Sequence, residues 1–162
     1  FPLRLKAQTL LDLQENLFLF EITSGRNSGS IHDDQKTNLE DVKVQDLVNK
    51  NVNHCYEMRE SLLKGNLGKF GLGLNLAWDL KRQFSKQISN GHLDEIYNYA
   101  IKNGAVGGKL LGAGGGGYFL FYVEAFSKNH FLGAMKDKGL AQTVFCFDHD
   151  GMQSWTTRDI GI

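Results

Sequence analysis

Residues 104–123 read GAVGGKLLGAGGGGYFLFYV. Within them, 108–111 (GKLL) and the apolar, aromatic run 118–123 (YFLFYV) have the composition of strands. Between the two lie Gly112, Ala113, Gly114, Gly115, Gly116 and Gly117. Strands this close in sequence pair as an antiparallel hairpin. A hairpin turn needs one or two residues that accept positive φ, yet four glycines follow one another at 114–117. Successive amides in such a turn can converge on an anion. Composition alone therefore leaves two readings open, a loop that faces phosphate and a turn crowded by neighbouring backbone. No GxxxxGK[ST] segment occurs, and no GxGxxG follows a strand and opens a helix, so the usual nucleotide fingerprints are absent. Lys109, three residues before the run, would add a positive charge to a phosphate site; by itself it reads as a solvated strand lysine.

Upstream of the hairpin the pattern is helical. In 44–62, Val44, Leu47, Val48, Val52, Cys55, Met58 and Leu62 recur at three and four residues and form one stripe. Thr37 and Glu40 ahead of it have capping-box spacing, and Gly65 ends it. A second helix is expected over 67–87, with Phe70, Leu74 and Trp78 on one side and Leu72, Leu76 and Leu80 on another, covered on more than one face. Ser89 or Asn90 caps a third, lined by Leu93, Ile96, Tyr97 and Ala100 and stopped by Gly104, with Asp94 and Glu95 favouring its first turn. Before all of these, 17–22 (LFLFEI) is a short apolar strand. Downstream, 124–138 returns to helical spacing, 143–147 (TVFCF) reads as a strand, and a last short strand is expected over 153–157. The order strand, helices, strand, strand, helix, strand is that of the α+β, ferredoxin-like split βαβ fold: an antiparallel sheet packed with helices, its first crossover expanded into several helices.

The 162 residues suit a single domain, 1–162. Hydrophobic residues are 41% and charged residues 22%, near globular averages, and no apolar run approaches the ~20 residues of a membrane span. Lys plus Arg equals 18 and Asp plus Glu equals 18, so no global field draws the protein to nucleic acid or anionic lipid. Two cysteines, Cys55 and Cys146, are too few for a disulfide framework; they read as buried thiols in a reducing cytoplasm. The chain begins at Phe1, and FPLRLK lacks the marks of a signal peptide, so it reads as a piece of something longer.

The 104–123 segment resembles the third conserved motif of the GHMP small-molecule kinases. Residues 69–100, KFGLGLNLAWDLKRQFSKQISNGHLDEIYNYA, are similar to the preceding segment of the family's D-glycero-D-manno-heptose 7-phosphate kinase branch, and Arg26, Ile31 and Gln35 match positions after its first strand. Ser28 and Gly29 depart from the alanine-containing helix start of that branch. The resemblance implies ATP-dependent phosphoryl transfer, with Mg2+, to a sugar or sugar phosphate. It also implies that this chain is the C-terminal half, since no PxxxGLGSSA-like segment is present. ATP, Mg2+ and the catalytic acidic residue would then be held mainly by an N-terminal domain of the same kinase, leaving no catalytic residue here. The alternative is a stand-alone ferredoxin-like domain that binds a small anionic metabolite without chemistry. A homodimer is left open.

Arg26, at a strand-to-helix junction, is a candidate for gripping a substrate phosphate through a bidentate guanidinium; otherwise it is a surface arginine. His32-Asp33-Asp34 and Asp148-His149-Asp150 contain metal-ligand types, but neighbours on a helix point 100° apart and the second triplet sits in a turn, so both read as solvated and no metal site is expected. Trp78 with Lys81 and Arg82 could form an aromatic-basic patch, although Trp78 fits the core stripe better.

Overall fold

A computed structural model describes residues 3–22, 42–85, 88–148 and 150–155. Arg26, Ser28, Gly29, the His32 triplet, the Thr37–Glu40 pair and His149 lie outside these described residues. The elements run α1 (Ala7–Asn16), β1 (Leu17–Ile22), α2 (Val42–Leu63), α3 (Leu67–Arg82), α4 (Gly91–Lys102), β2 (Ala105–Leu110), β3 (Gly117–Val123), a 3-10 turn (Ala125–Ser127), α5 (Lys128–Asp137) and β4 (Gln142–Thr143). The sheet order is β2-β3-β1-β4 with every pairing antiparallel. That is the split βαβ arrangement, since β3 lies between β1 and β2, and α2, α3 and α4 make the crossover.

Alternation along the strands divides the core in two. Phe18, Phe20 and Ile22 of β1 and Phe119, Phe121 and Val123 of β3 face Trp78, the buried side of α4, and Phe131 and Met135 of α5. Leu17 and Tyr122 face the other way, toward Leu13 of α1, Leu67 and Leu74 of α3, and Met58 and Leu62 of α2. The first face is an aromatic stack, with Phe119 and Phe121 centroids 5.3 Å apart and Trp78 edge-on to Phe119 at 5.6 Å. Each such pair contributes ~0.5–1.5 kcal/mol beyond the area it buries. Helix α3 reaches both faces because it lies tight on β2: a Cβ on Gly107 would stand 2.1 Å from the Gly71 carbonyl oxygen.

Local rules set the helix ends. Asn66 Oδ1 accepts from the Lys69 amide at 3.0 Å and Asn90 Oδ1 from the Leu93 amide at 3.0 Å, so Asn90, not Ser89, is the cap of α4. Helix α3 stops at Arg82, five residues before the expected end at 87.

Several sequence expectations need correction. Helix α1 was not foreseen; Leu13 is buried but Leu11 is exposed, so its leucines make no clean stripe. On α2 the packed face carries Val44, His54 and Ser61, while Val52 and Cys55 point outward. The interface with α3 is partly polar, since His54 Nε2 donates to the Gly73 carbonyl at 2.8 Å; of the expected stripe Val44, Met58 and Leu62 pack, joined by polar neighbours. Cys146 is exposed as well, so neither thiol is buried. Leu72 and Leu76 of α3 are exposed; of that row only Leu80 is covered.

Of the strand expected over 143–147 only Thr143 pairs, opposite Leu19; the other residue of β4 is Gln142, opposite Phe20. Its period-2 pattern serves packing: Phe145 and Phe147 turn to the second core, and the Phe147 amide donates to Gln14 Oε1 at 3.0 Å. No strand forms at 153–155, the described part of the last expected one. No helix among the described residues is long and apolar enough to cross a membrane.

Candidate functional site

The turn between β2 and β3 is closed at its base by the Leu111 amide, which donates to the Tyr118 carbonyl at 2.8 Å. Gly112, Gly114, Gly115, Gly116 and Gly117 take φ of 76°, 124°, 70°, 147° and 119°, all in the region that L side chains avoid. The backbone path therefore uses the whole glycine run, more than the one or two expected of a hairpin. Two positions in it face different surroundings. A Cβ on Gly114 would stand 2.8 Å from Ile88 Cα, whereas a Cβ on Gly112 would meet nothing within 4 Å. One side of the loop is packed and the other is open.

Ile88 and Lys81 both hold the loop. The Gly115 amide donates to the Ile88 carbonyl at 2.9 Å. From below, Lys81 Nζ donates to the Leu110 carbonyl at 3.1 Å and to the Gly112 carbonyl. Burial, with the Lys109 ammonium adding repulsion, pushes Lys81 down to about 8. At neutral pH it keeps its charge.

Lys81 is placed there by the last turn of α3. Trp78, one turn earlier, has 0% exposure and seats against Phe119 just beyond the loop. Arg82 lies over the Trp78 ring at 5.5 Å and the Tyr97 ring at 6.0 Å, and it binds Asp79 and, at 3.2 Å, Asp94. Asp94 also accepts from Ser89 Oγ at 2.7 Å. Thus Asp94 does more than favour the first turn of α4, while exposed Glu95 pairs with Lys138. Tyr97 donates its hydroxyl to Asn75 Oδ1, and burial first, then Asp79, pushes its own pKa up to about 12.

Of the residues expected from sequence, the glycine run and Lys109 come together, since Lys109 on β2 acts electrostatically on the lysine that holds the loop. Arg26 lies outside the described residues. Trp78 is core, as expected. The sequence offers Lys81 only as part of an aromatic-basic patch; the loop carbonyls it binds are 29 and 31 residues away, a distance no local pattern reports. Asp148 and Asp150 are exposed, and the Asp150 amide donates to Asp148 Oδ1 at 2.9 Å in a local turn. Among the described residues no three metal-ligating side chains cluster.

Residues 58–144, from the second half of α2 to β4, match the family described as GHMP kinases C terminal. The chain is also 32% identical over 155 residues to D-glycero-alpha-D-manno-heptose 7-phosphate kinase of Campylobacter jejuni, covering 95% of this chain and 45% of that protein. The chain belongs to the GHMP kinase family. Solved relatives share the fold of this GHMP kinase domain. A D-glycero-D-manno-heptose 1-phosphate kinase from Bacteroides thetaiotaomicron aligns over 98% of this chain and 41% of its own, with TM-score 0.61 and 19% identity. L. major mevalonate kinase aligns over 78% and 41%, with TM-score 0.68 and 21% identity. The GHMP kinase domain thus spans about half the length of the curated relative it matches.

Proposed function

We propose that this domain is the C-terminal half of an ATP-dependent kinase that phosphorylates a sugar phosphate of the heptose class, and that its glycine loop faces the nucleotide phosphates or braces the loop of an N-terminal domain that wraps them. The observation that carries this reading is the two-sided loop: packed on Ile88 at Gly114, open at Gly112, with the Lys81 and Lys109 ammonium groups on its flank. The 32% identity to a heptose 7-phosphate kinase supports the substrate class. The Lys81 and Lys109 ammonium groups beside the loop suit an anionic ligand, and no carboxylate cluster for Mg2+ occurs among the described residues. ATP with Mg2+ supplies the phosphoryl group and much of the charge neutralisation.

The chain's own part is positioning. The β2–β3 turn presents backbone at a fixed height above the sheet, Lys81 fixes its curvature from beneath, and the open flank at Gly112 lets a ligand or a partner loop approach the backbone. Arg26 would grip the phosphate that the substrate already carries. The acidic residue that takes the hydroxyl proton belongs to the N-terminal domain in this reading.

The test uses the full-length protein with D-glycero-D-manno-heptose 7-phosphate and Mg-ATP, following ADP release. Turnover on the order of 1 to 100 per second is expected. Arg26→Lys should raise KM for the sugar phosphate because lysine lacks the bidentate fork. Failure to phosphorylate any sugar phosphate would overturn the reading.

A further inference from the structure

Strand β3 leaves the glycine loop at Gly117 and reaches Tyr122 at the other end of the sheet, roughly 17 Å away at the usual rise of a strand. There Asp12 and Asn16 of α1, Lys64 and Asn66 from the link between α2 and α3, and Tyr122 and Glu124 line an open cleft of about 690 Å³, a size that suits a small molecule. We propose that this cleft binds a small organic cation, its ammonium or guanidinium held between the Asp12 and Glu124 carboxylates with the Tyr122 hydroxyl beneath it. The site is separate from the rim that carries the glycine loop and needs none of the kinase chemistry.

The polar groups of the cleft are short of partners. Tyr122 is only 2% exposed, with its ring against Gly71 of α3, yet its hydroxyl has no hydrogen-bond partner among the described residues. Glu124 is half-buried, and among the described residues nothing donates to its carboxylate. Asp12, also half-buried, accepts there only from Gln8 Nε2, at 2.7 Å. Burial first, then Glu124 and Asp12, push the Tyr122 pKa up to about 12, so both carboxylates act on a phenol that stays neutral at pH 7. Lys64 does not neutralise them, because its ammonium is 74% exposed and turned to Glu60 at 3.8 Å. The dipole of α3 favours Glu124, since a Cβ on Gly68 in the first turn would stand 3.0 Å from Glu124 Oε1. That accounts for one carboxylate and leaves Asp12 and the phenol without a reason. An ammonium or guanidinium carries several N–H donors, which match two carboxylates and a phenolic oxygen. A metal ion fits less well: Ca2+ takes ~6–8 oxygens, and among the described residues no three metal-ligating side chains gather.

The experiment uses the full-length protein with putrescine as the probe, 1,4-butanediol as its uncharged counterpart and CaCl2 as the metal arm. Calorimetry measures affinity, and NMR of the protein labelled with 13Cζ-tyrosine reports on the site, the Tyr122 resonance being the one lost in Tyr122→Phe. Putrescine should bind saturably and shift that resonance, and butanediol should do neither. Asp12→Asn and Glu124→Gln should each weaken putrescine binding about tenfold or more, the loss expected for a charge-assisted hydrogen bond. Tyr122→Phe, which keeps the ring and its packing, should weaken it about threefold to tenfold.

A wild type that binds no putrescine overturns the proposal. So does binding that Asp12→Asn and Glu124→Gln leave at full strength, since the amine would then be meeting acids elsewhere on the surface. A Tyr122 resonance that moves with CaCl2 and not with putrescine overturns the organic cation in favour of a metal. Should Glu124→Gln fail to fold, Asp12→Asn decides on the same criterion, with Tyr122→Phe as the second measurement. Each readout is binding at the cleft, so a protein that phosphorylates no sugar phosphate would fail the function proposed above and leave this site standing.

Discussion

Gly112 and Gly114 sit two residues apart in one turn and answer to different demands. Both have positive φ, so either one replaced by alanine bears ~1–2 kcal/mol of backbone strain. Only Gly114 also presses on its neighbour, with Ile88 Cα 2.8 Å from the missing Cβ. Gly114→Ala should therefore lower the melting temperature clearly more than Gly112→Ala. Gly112→Ala in the full-length enzyme should instead depress kcat/KM for ATP beyond what its small stability loss explains, and measuring both quantities on both variants checks the assignment. Composition alone could not make this distinction: a run of glycines shows that backbone freedom is used, while which glycine faces protein and which faces open space depends on Ile88, more than twenty residues away. Lys81 adds a pH signature. The charges around it are Lys109 of β2 and, next along α3, Arg82, which is balanced by Asp79 and by Asp94 of α4. Its pKa falls from the ordinary 10.5 to about 8 in the fold, so between those values the unfolded chain binds more protons. This group's contribution to stability therefore rises with pH across that window. The hold of Lys81 on the Leu110 and Gly112 carbonyls weakens over the same window as the charge is lost. ATP affinity of the full-length protein should thus decline above pH 8 while this lysine does nothing to lower the melting temperature, and Lys81→Arg should remove the alkaline decline.

At the scale of elements, α3 joins the halves of the structure: its early leucines enter one core, its Trp78 the other, and its last turn carries both Lys81 and Arg82. Trp78→Ala should cost ~3–5 kcal/mol, the usual loss for a buried tryptophan, read as a shift in the denaturation midpoint. Trp78→Phe should cost much less, because it keeps the aromatic edge on Phe119 and removes a buried indole N–H with no hydrogen-bond partner among the described residues. The two tryptophans permit a direct check of the packing: acrylamide should quench Trp155, at 82% exposure, and leave Trp78, at 0%, largely untouched. The elements legible in the sequence are those whose pattern and caps agree, namely α4 with Asn90 and Gly104, and the β2–β3 pair. Those that were not legible break one of the two rules. Helix α1 has no single apolar face, and the packed face of α2 contains His54 and Ser61, whose partners are a carbonyl on α3 and one on α2 itself. The stretch 144–147 alternates like a strand without a ladder to join, since its aromatic side chains pack on the second core. The end of α3 at Arg82, before a turn that aims the Ile88 carbonyl at the loop, has no local breaker such as glycine or proline.

For the whole molecule, the order of strands in the sheet determines what the chain can do unaided. Placing β3 between β1 and β2 brings the glycine loop to the sheet end where α3 finishes and the turn before α4 passes, so one rim carries the loop, Lys81, Lys109 and the Ile88 carbonyl. Everything gathered there positions or attracts an anion. Asp79 and Asp94, the acids of α3 and α4 beside Lys81, are engaged by Arg82 and so are not poised to take a proton from a substrate hydroxyl. Phosphoryl transfer needs charge neutralisation and alignment from all sides of the phosphates, and a single rim supplies one side. The 162-residue chain by itself should therefore release no ADP above the uncatalysed background when given Mg-ATP and D-glycero-D-manno-heptose 7-phosphate, under conditions where the full-length protein turns over. It should nevertheless melt cooperatively, since both faces of its sheet are covered by its own helices. A coupled assay and a thermal melt on the same preparation decide the matter. A folded, active fragment would move the catalytic centre onto this domain, and an unfolded one would show that the fold depends on the rest of the kinase.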